Sequence, residues 1–399
     1  MRILWVKVGG LWPLNSGGRL RSFNILSELS RHHQVSVLTT HTPDEDAGEL
    51  RRRLPHCERV ISVPFAALKW RSPKFPVALI RSWFSPLSID LWKNRVPALR
   101  REVRDLLDSG DMDLCVADFL HAVPNVPHDR NVPVLFFEHN VEYLIWKRLC
   151  LMQKRPWMRA LLEVEWRKMR RYEAHACRKA NLTVAVSPQD RDLLKESAPN
   201  ARICDVPTGV DIDYFAPNEG AEAPNGLVFT GSMDWYPNED AIRFFIADVL
   251  PLIRRSLPKI GVTVVGRGPS RILYEEAERA GVKVTGRVAD VRPYIDKAAV
   301  YIVPLRLGGG TRLKIFEALA MGKAVVSTSV GAEGLPLRSG EHYLQADGAD
   351  AFASAVVALA GNAERRQALG DAGRKLVRER YAWPQVAREF GKLCETARS

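Results

Sequence analysis

The sequence predicts an α/β protein made of two tandem, doubly wound parallel-sheet domains facing a central cleft. Three observations carry that expectation. At 399 residues the chain exceeds the size at which a single hydrophobic core stops growing. Short apolar runs alternate with helical stretches along its length, and most runs are continuously apolar, as strands covered on both faces require. The alternation is interrupted once, by "DVPTGVDIDYFAPNEGAEAPNG", rich in Pro, Gly and acidic residues and without helical period. The expected division is therefore residues 1–205, a linker over 206–225, a second domain over 226–380 and a C-terminal helix over 381–399 packing back on the first domain.

In order, "MRILWVKVGG" has one cation, Arg2, followed by a short apolar run, and no small-residue cleavage site, so Ile3–Val8 reads as a first strand and not a signal peptide. Further strands are expected at Gln34–Thr39, Leu114–Ala117, Val134–Phe137 and Leu182–Val186. The second domain repeats the pattern with Gly226–Thr230, Gly261–Val265, Val282–Thr285, Val300–Val303 and Ala324–Thr328. "VVGRGPSR" lacks the third glycine of a dinucleotide fingerprint and reads as a tight turn after a strand. Six scattered cysteines without a CxxC pair suggest neither a zinc site nor a disulfide framework, and a reduced, cytoplasmic chain is expected. No run of about 18 apolar residues exists, so no membrane span is expected.

"RLGGGTRLKIFEALAMGKAVVST" holds the most chemistry. A strand leads through Pro304 and Gly308, Gly309 and Gly310 into a helix with Thr311 as N-cap and Gly322 at its end. An anion at this helix start would meet free NH groups, the positive end of the dipole, and Arg312 and Lys314. The alternative is a plain turn with a solvated basic end. The segment is not a Walker loop, since the Gly-x4-Gly-Lys-Ser/Thr spacing is absent. Glu317 lies on the side of Lys314, placed either to accept two ribose hydroxyls or to form a surface pair worth a few tenths of a kcal/mol.

The chain resembles the retaining glycosyltransferases of the GT-B fold, specifically glycosyltransferase family 4. The resemblance rests on "PLNSGGRLRSFNILSELSRHHQVSVLT", "FFEHNVEY", "VPTGVDIDYF", "FTGSMDWYPNEDA", "VTGRVADVRPYI" and "IFEALAMGKAVVST", in that order over nearly the full length. It implies transfer of a sugar from a nucleoside diphosphate to a hydroxyl of a glycan or lipid-linked glycan, with retention, as in cell-surface polysaccharide biosynthesis. No cofactor and no metal are expected. It further implies a donor site of Gly17, Gly18, Gly231, Ser232, Arg287, Val288, Gly309, Gly310, Thr311 and Glu317, with His139 holding the donor sugar or polarising the transition state.

Two departures matter. Gly309 stands where the family's first signature glutamate is expected, and the loop after Gly231 lacks the family's diphosphate-binding cations. Arg312 and Lys314 are therefore expected to supply that charge, together with His139, at the catalytic centre. Asp118 and His121, after a first-domain strand, are the acceptor-side expectation, and Arg19 is expected to add charge near Gly17 and Gly18.

The net charge is +12. It is concentrated in "WKRLCLMQKRPWMRALLEVEWRKMRRYEAHACRKA", where Trp and Leu interleave with cations, and "ALKWRSPKFPVALIRSWFSP" adds aromatics. This reads either as a surface for an anionic membrane, with peripheral attachment, or as an amphipathic helix with a solvated basic face. Two other classes compete. A nucleotide-sugar epimerase of the same fold needs acid and base groups that are not identifiable here, and a nucleic-acid binder would explain the charge but not Glu317, so no nucleic-acid partner is expected.

Overall fold

The computed structural model describes residues 1–14, 16–68, 72–127, 131–218, 223–307 and 313–398. The chain divides into two compact units, one of Met1–Pro207 together with the stretch from Val386 onward, the other of Thr208–Gln385.

The first unit contains β1 (Arg2–Lys7), β2 (Gln34–His41), β3 (Arg59–Pro64), β4 (Leu114–Asp118), β5 (Val134–Phe137), β6 (Leu182–Ala185) and β7 (Ile203–Asp205). They form one seven-stranded sheet in the order β3-β2-β1-β4-β5-β6-β7, with parallel pairing throughout. The order reverses between β1 and β4, the switch point at which doubly wound sheets bind ligands. The register sets Lys7 opposite Asp118 there. Trp5, Phe136 and Phe137 are fully buried, and Phe390 of the Trp383–Arg398 helix packs on Trp5 and Phe137 at ring distances of 5.6 and 4.8 Å.

The second unit contains β8 (Ala223–Thr230), β9 (Gly261–Val265), β10 (Lys283–Val284), β11 (Ala298–Val303), β12 (Ala324–Ser327) and β13 (Leu344–Gln345), ordered β10-β9-β8-β11-β12-β13 and again parallel. Its switch point lies between β8 and β11. Within the stretch expected as a linker, the Val210 amide donates to the Tyr381 carbonyl at 2.7 Å, and Gly209 lies so close to Trp383 that a Cβ would come within 2.4 Å of the indole. That segment is thus fastened to the second unit from Thr208 on.

The expected strands are found with ends shifted by a few residues. The sequence reading missed β3, β7 and β13, all at sheet edges. The signature helix spans Leu313–Ala320 and ends as its glycine predicts. Gly322 adopts φ +68°, its amide donates to Leu319, and the Lys323 amide donates to Ala318, the double closure of a Schellman cap.

Candidate active site

In the second unit the carboxyl ends of β8 and β9 approach closely. The Gly231 amide donates to the Val265 carbonyl at 2.9 Å, and a Cβ on Gly266 would fall 1.7 Å from the Gly231 oxygen, so only glycine is accommodated. Lys314, in the first turn of the signature helix, reaches into this corner. Its ammonium donates to Asn238 Oδ1 at 2.8 Å, lies 4.1 Å over the Phe229 ring, and sits 2.7 Å from where a Gly231 Cβ would be. Asn238 in turn donates to the Ser232 carbonyl at 2.8 Å, which holds the amide oriented toward Lys314. A cation therefore stands at the end of β8 although the loop itself contributes none.

Ser232 is engaged on both sides: its hydroxyl donates to Asp234 at 2.5 Å and accepts from Arg267 Nε at 2.8 Å. Glu317, one turn beyond Lys314, is half-buried. Burial pushes its carboxyl up to about 7, with the Lys314 charge acting in the opposite direction. Arg287 is exposed and Val288 half-buried, just after Gly286 at φ +69°. The expected Gly308, Gly309, Gly310, Thr311 and Arg312 lie outside the described residues. Asn238 and Arg267 are the residues the sequence reading missed; Arg267 sits in the segment read as a turn.

In the first unit the end of β5 carries Glu138 and His139. Here the sequence expectation for Asp118 is corrected. Its side chain is wholly buried, accepts from Trp5 Nε1 at 2.8 Å and Lys7 Nζ at 3.1 Å, and has His139 Nε2 2.8 Å away but off the N–H axis. It has no surface with which to meet an acceptor; it anchors a buried charge network instead. Burial would raise the Asp118 carboxyl, yet Lys7 and His139 hold it well below the ordinary carboxylate range. Burial, assisted by the charges of Lys7 and Arg21 and opposed by Asp118, lowers His139 to about 4, so the imidazole is neutral at pH 7.

Lys7 also donates to Ser22 Oγ at 3.0 Å, tying the Gly17–Leu29 helix to the network. A Cβ on Gly18 would lie 3.3 Å from His139 Nδ1, whereas one on Gly17 would meet nothing within 4 Å. Arg19 does not stand ready as extra charge: its guanidinium donates to the Gly9 and Trp12 carbonyls and pairs with Glu45 at 3.2 Å. His121 lies 2.7 Å from Asp90, and the ring of Phe119, at the unusual φ of +78°, packs on both His121 and His139. Glu138 and Glu142 are buried; for both, burial raises the carboxyl, and Glu173 adds to the effect on Glu138.

Residues 17–214 match the family model described as Glycosyltransferase Family 4, and residues 224–362 the model described as Glycosyl transferases group 1. The chain belongs to glycosyltransferase family 4. Among relatives of this family, phosphatidyl-myo-inositol mannosyltransferase of Mycobacterium tuberculosis is 30% identical over 210 residues, 48% of this chain and 53% of the relative. The chain thus spans about half the length of the mannosyltransferases it matches. An uncharacterized 44.6 kDa protein in the cps region of Klebsiella pneumoniae is 22% identical over 95% of this chain and 96% of its own.

Two similar structures share the fold. Sucrose-phosphate synthase of Thermosynechococcus elongatus superposes with a TM-score of 0.68 at 16% identity, over 98% of both chains. Anabaena Alr3699/HepE, in complex with UDP and glucose, gives 0.62 at 13% identity, over 99% of this chain and 100% of that one. The two parallel sheets of seven and six strands are those of the GT-B glycosyltransferases.

Proposed function

We propose that the chain is a retaining glycosyltransferase that moves a sugar from a nucleoside-diphosphate sugar to a hydroxyl of a glycan or lipid-linked glycan, in cell-surface polysaccharide biosynthesis. The observation that carries this reading is the Lys314 ammonium held against the Gly231 main chain by Asn238, one turn from the half-buried Glu317. A diphosphate at the end of β8 would have its charge met by Lys314, and the Glu317 carboxylate would accept two ribose hydroxyls. The cps-region relative and the relatives named for mannosylating phosphatidyl-myo-inositol support the acceptor class.

In the reaction, the bond between the anomeric carbon and the diphosphate oxygen breaks as the acceptor oxygen bonds to the same carbon on the same face. The acceptor proton passes to the departing phosphate oxygen. Negative charge develops on the leaving diphosphate, and a fixed ammonium there lowers the barrier because it needs no reorganisation. The neutral His139 is assigned to the donor sugar, with Lys7 and Asp118 as positioning residues behind it. No protein nucleophile is required.

A thermal-shift panel of uridine, guanosine, adenosine and thymidine diphosphates and their sugars, on wild type and Glu317→Gln, tests this. A ligand that binds only the folded state raises stability with concentration. One base is expected to stabilise the wild type, with the gain mostly lost in the variant; no shift with any nucleotide overturns the donor site.

The pH dependence follows from Glu317. Its carboxyl is protonated below about 7 and ionised above. Nucleotide affinity is therefore expected to be full above pH 7 and to fall as pH drops through 7, because the acid form can no longer accept both hydroxyls. Glu317→Gln should be weak and flat over the same range in a titration from pH 6 to 8, whereas a wild-type profile that does not change would remove Glu317 from the site.

A further inference from the structure

Three helices of the first unit, Phe75–Trp83, Glu142–Met152 and Pro156–Lys179, bear large apolar side chains in solvent. Ile80, Leu149 and Val164 are about half exposed, Trp157 is 62% exposed, Met152 79% and Phe84 90%. On each helix such residues recur at helical spacing, so each exposes an apolar stripe.

The stripes lie on adjoining ground. The second and third helices pack as a hairpin, with Cys150 Sγ 3.4 Å from the Arg159 carbonyl and the Lys147 ammonium over the Trp166 ring, which puts Met152 and Trp157 at its tip. Lys168 Nζ donates to the Ser82 carbonyl at 2.6 Å, joining the end of the first helix to the third one turn from Val164.

Charge identifies the occupant. From Leu144 to Leu162 the sequence holds Lys147, Arg148, Lys154, Arg155 and Arg159 and no acidic residue, and from Val60 to Ile89 it again holds none. On the third helix Glu163 pairs with Arg167 at 2.6 Å, and Glu165 is buried against the Ile89 amide. Among the described residues no helix is long and apolar enough to cross a membrane. Exposed aromatic and aliphatic side chains set among cations match the interface of an anionic bilayer, whose headgroups take the charge and whose acyl boundary takes the apolar tips. A nucleic-acid duplex, whose bases are stacked inside, would use the cations and leave Phe84, Met152 and Trp157 in water.

We propose that this face docks on anionic phospholipid, with Met152, Trp157 and Phe84 inserted and the hairpin cations on headgroup phosphates. It is independent of the nucleotide site, so its failure leaves that reading standing.

The test is cosedimentation of the full chain with phosphatidylcholine vesicles, with and without phosphatidylglycerol, at low and high salt. Two variants are compared: F84S/M152S/W157S, and K154Q/R155Q/R159Q. The wild type is expected on phosphatidylglycerol-containing vesicles only, with release by salt. Removing three cations is expected to weaken partitioning about a hundredfold, and the apolar variant is expected to lose the binding that persists at intermediate salt. Both variants should keep the wild-type thermal transition and its nucleotide response. Equal binding to both vesicle types, binding unaffected by either variant, or binding to duplex DNA or an acidic protein without vesicle binding would each overturn the proposal.

Discussion

Lys314→Met is expected to lower kcat by about 10²- to 10³-fold while leaving the fold intact, the magnitude typical of removing one preorganised donor to a developing anion. Methionine retains an unbranched stem along the Phe229 ring, so the loss reports the charge and not the packing. Asn238 would lose its ammonium partner but keep its bond to the Ser232 carbonyl. Lys314→Arg is not expected to rescue fully, because a planar guanidinium does not reproduce a compact ammonium seated between Asn238 Oδ1 and the Phe229 ring. The measurement is nucleoside-diphosphate release at saturating donor, with thermal unfolding as the folding control. Undiminished turnover in Lys314→Met would mean that the diphosphate charge is met elsewhere.

The second large effect is on stability. Asp118→Asn is expected to destabilise the first unit by about 3–5 kcal/mol, the cost of removing one partner of a buried ion pair. Lys7, itself buried, would lose its countercharge, and the neutral His139 would lose the carboxylate beside its Nε2. Trp5 Nε1 can still donate to the asparagine oxygen, so the indole remains seated and the loss comes from charge. Denaturant unfolding read by tryptophan fluorescence and by far-UV dichroism should show the loss, while the nucleotide-dependent stabilisation of the second unit persists. Burial pulls the Lys7 ammonium below its ordinary range while Asp118 opposes it, so a change below about 1 kcal/mol would mean that Lys7 is neutral in the native state and that the pair is not ionic.

The central strands were legible because burial on both faces demands continuous apolar runs, as in "AAVYIV" and "AVVS". Three of the four edge strands were not, for the same reason inverted. Ile203–Asp205 and Leu344–Gln345 are short, pair on one side and end in polar residues, so they carry little hydrophobic signal. The placement of Lys314 and Glu317 one turn apart was legible because one helix sets their relation. Asn238 and Arg267 were not, since Asn238 meets Lys314 from a different helix and Arg267 meets Ser232 only because the ends of β8 and β9 lie side by side.

Asp118 shows the limit most plainly. Its place at the end of β4 was correctly inferred, but a strand end does not fix which way a side chain turns. Here it turns inward, toward Trp5, Lys7 and the helix that carries Ser22. Lys7 lies inside the expected first strand, and nothing in the sequence marks it as the buried countercharge of Asp118.

The most direct measurement is titration calorimetry of the nucleoside diphosphate chosen by the panel, and of the matching monophosphate, into wild type and Lys314→Met. The wild type is expected to prefer the diphosphate by at least about tenfold, one charge-assisted contact's worth, and Lys314→Met to bind both alike. An equal preference in the two proteins would contradict the assignment of Lys314 to the diphosphate, and with it the donor site.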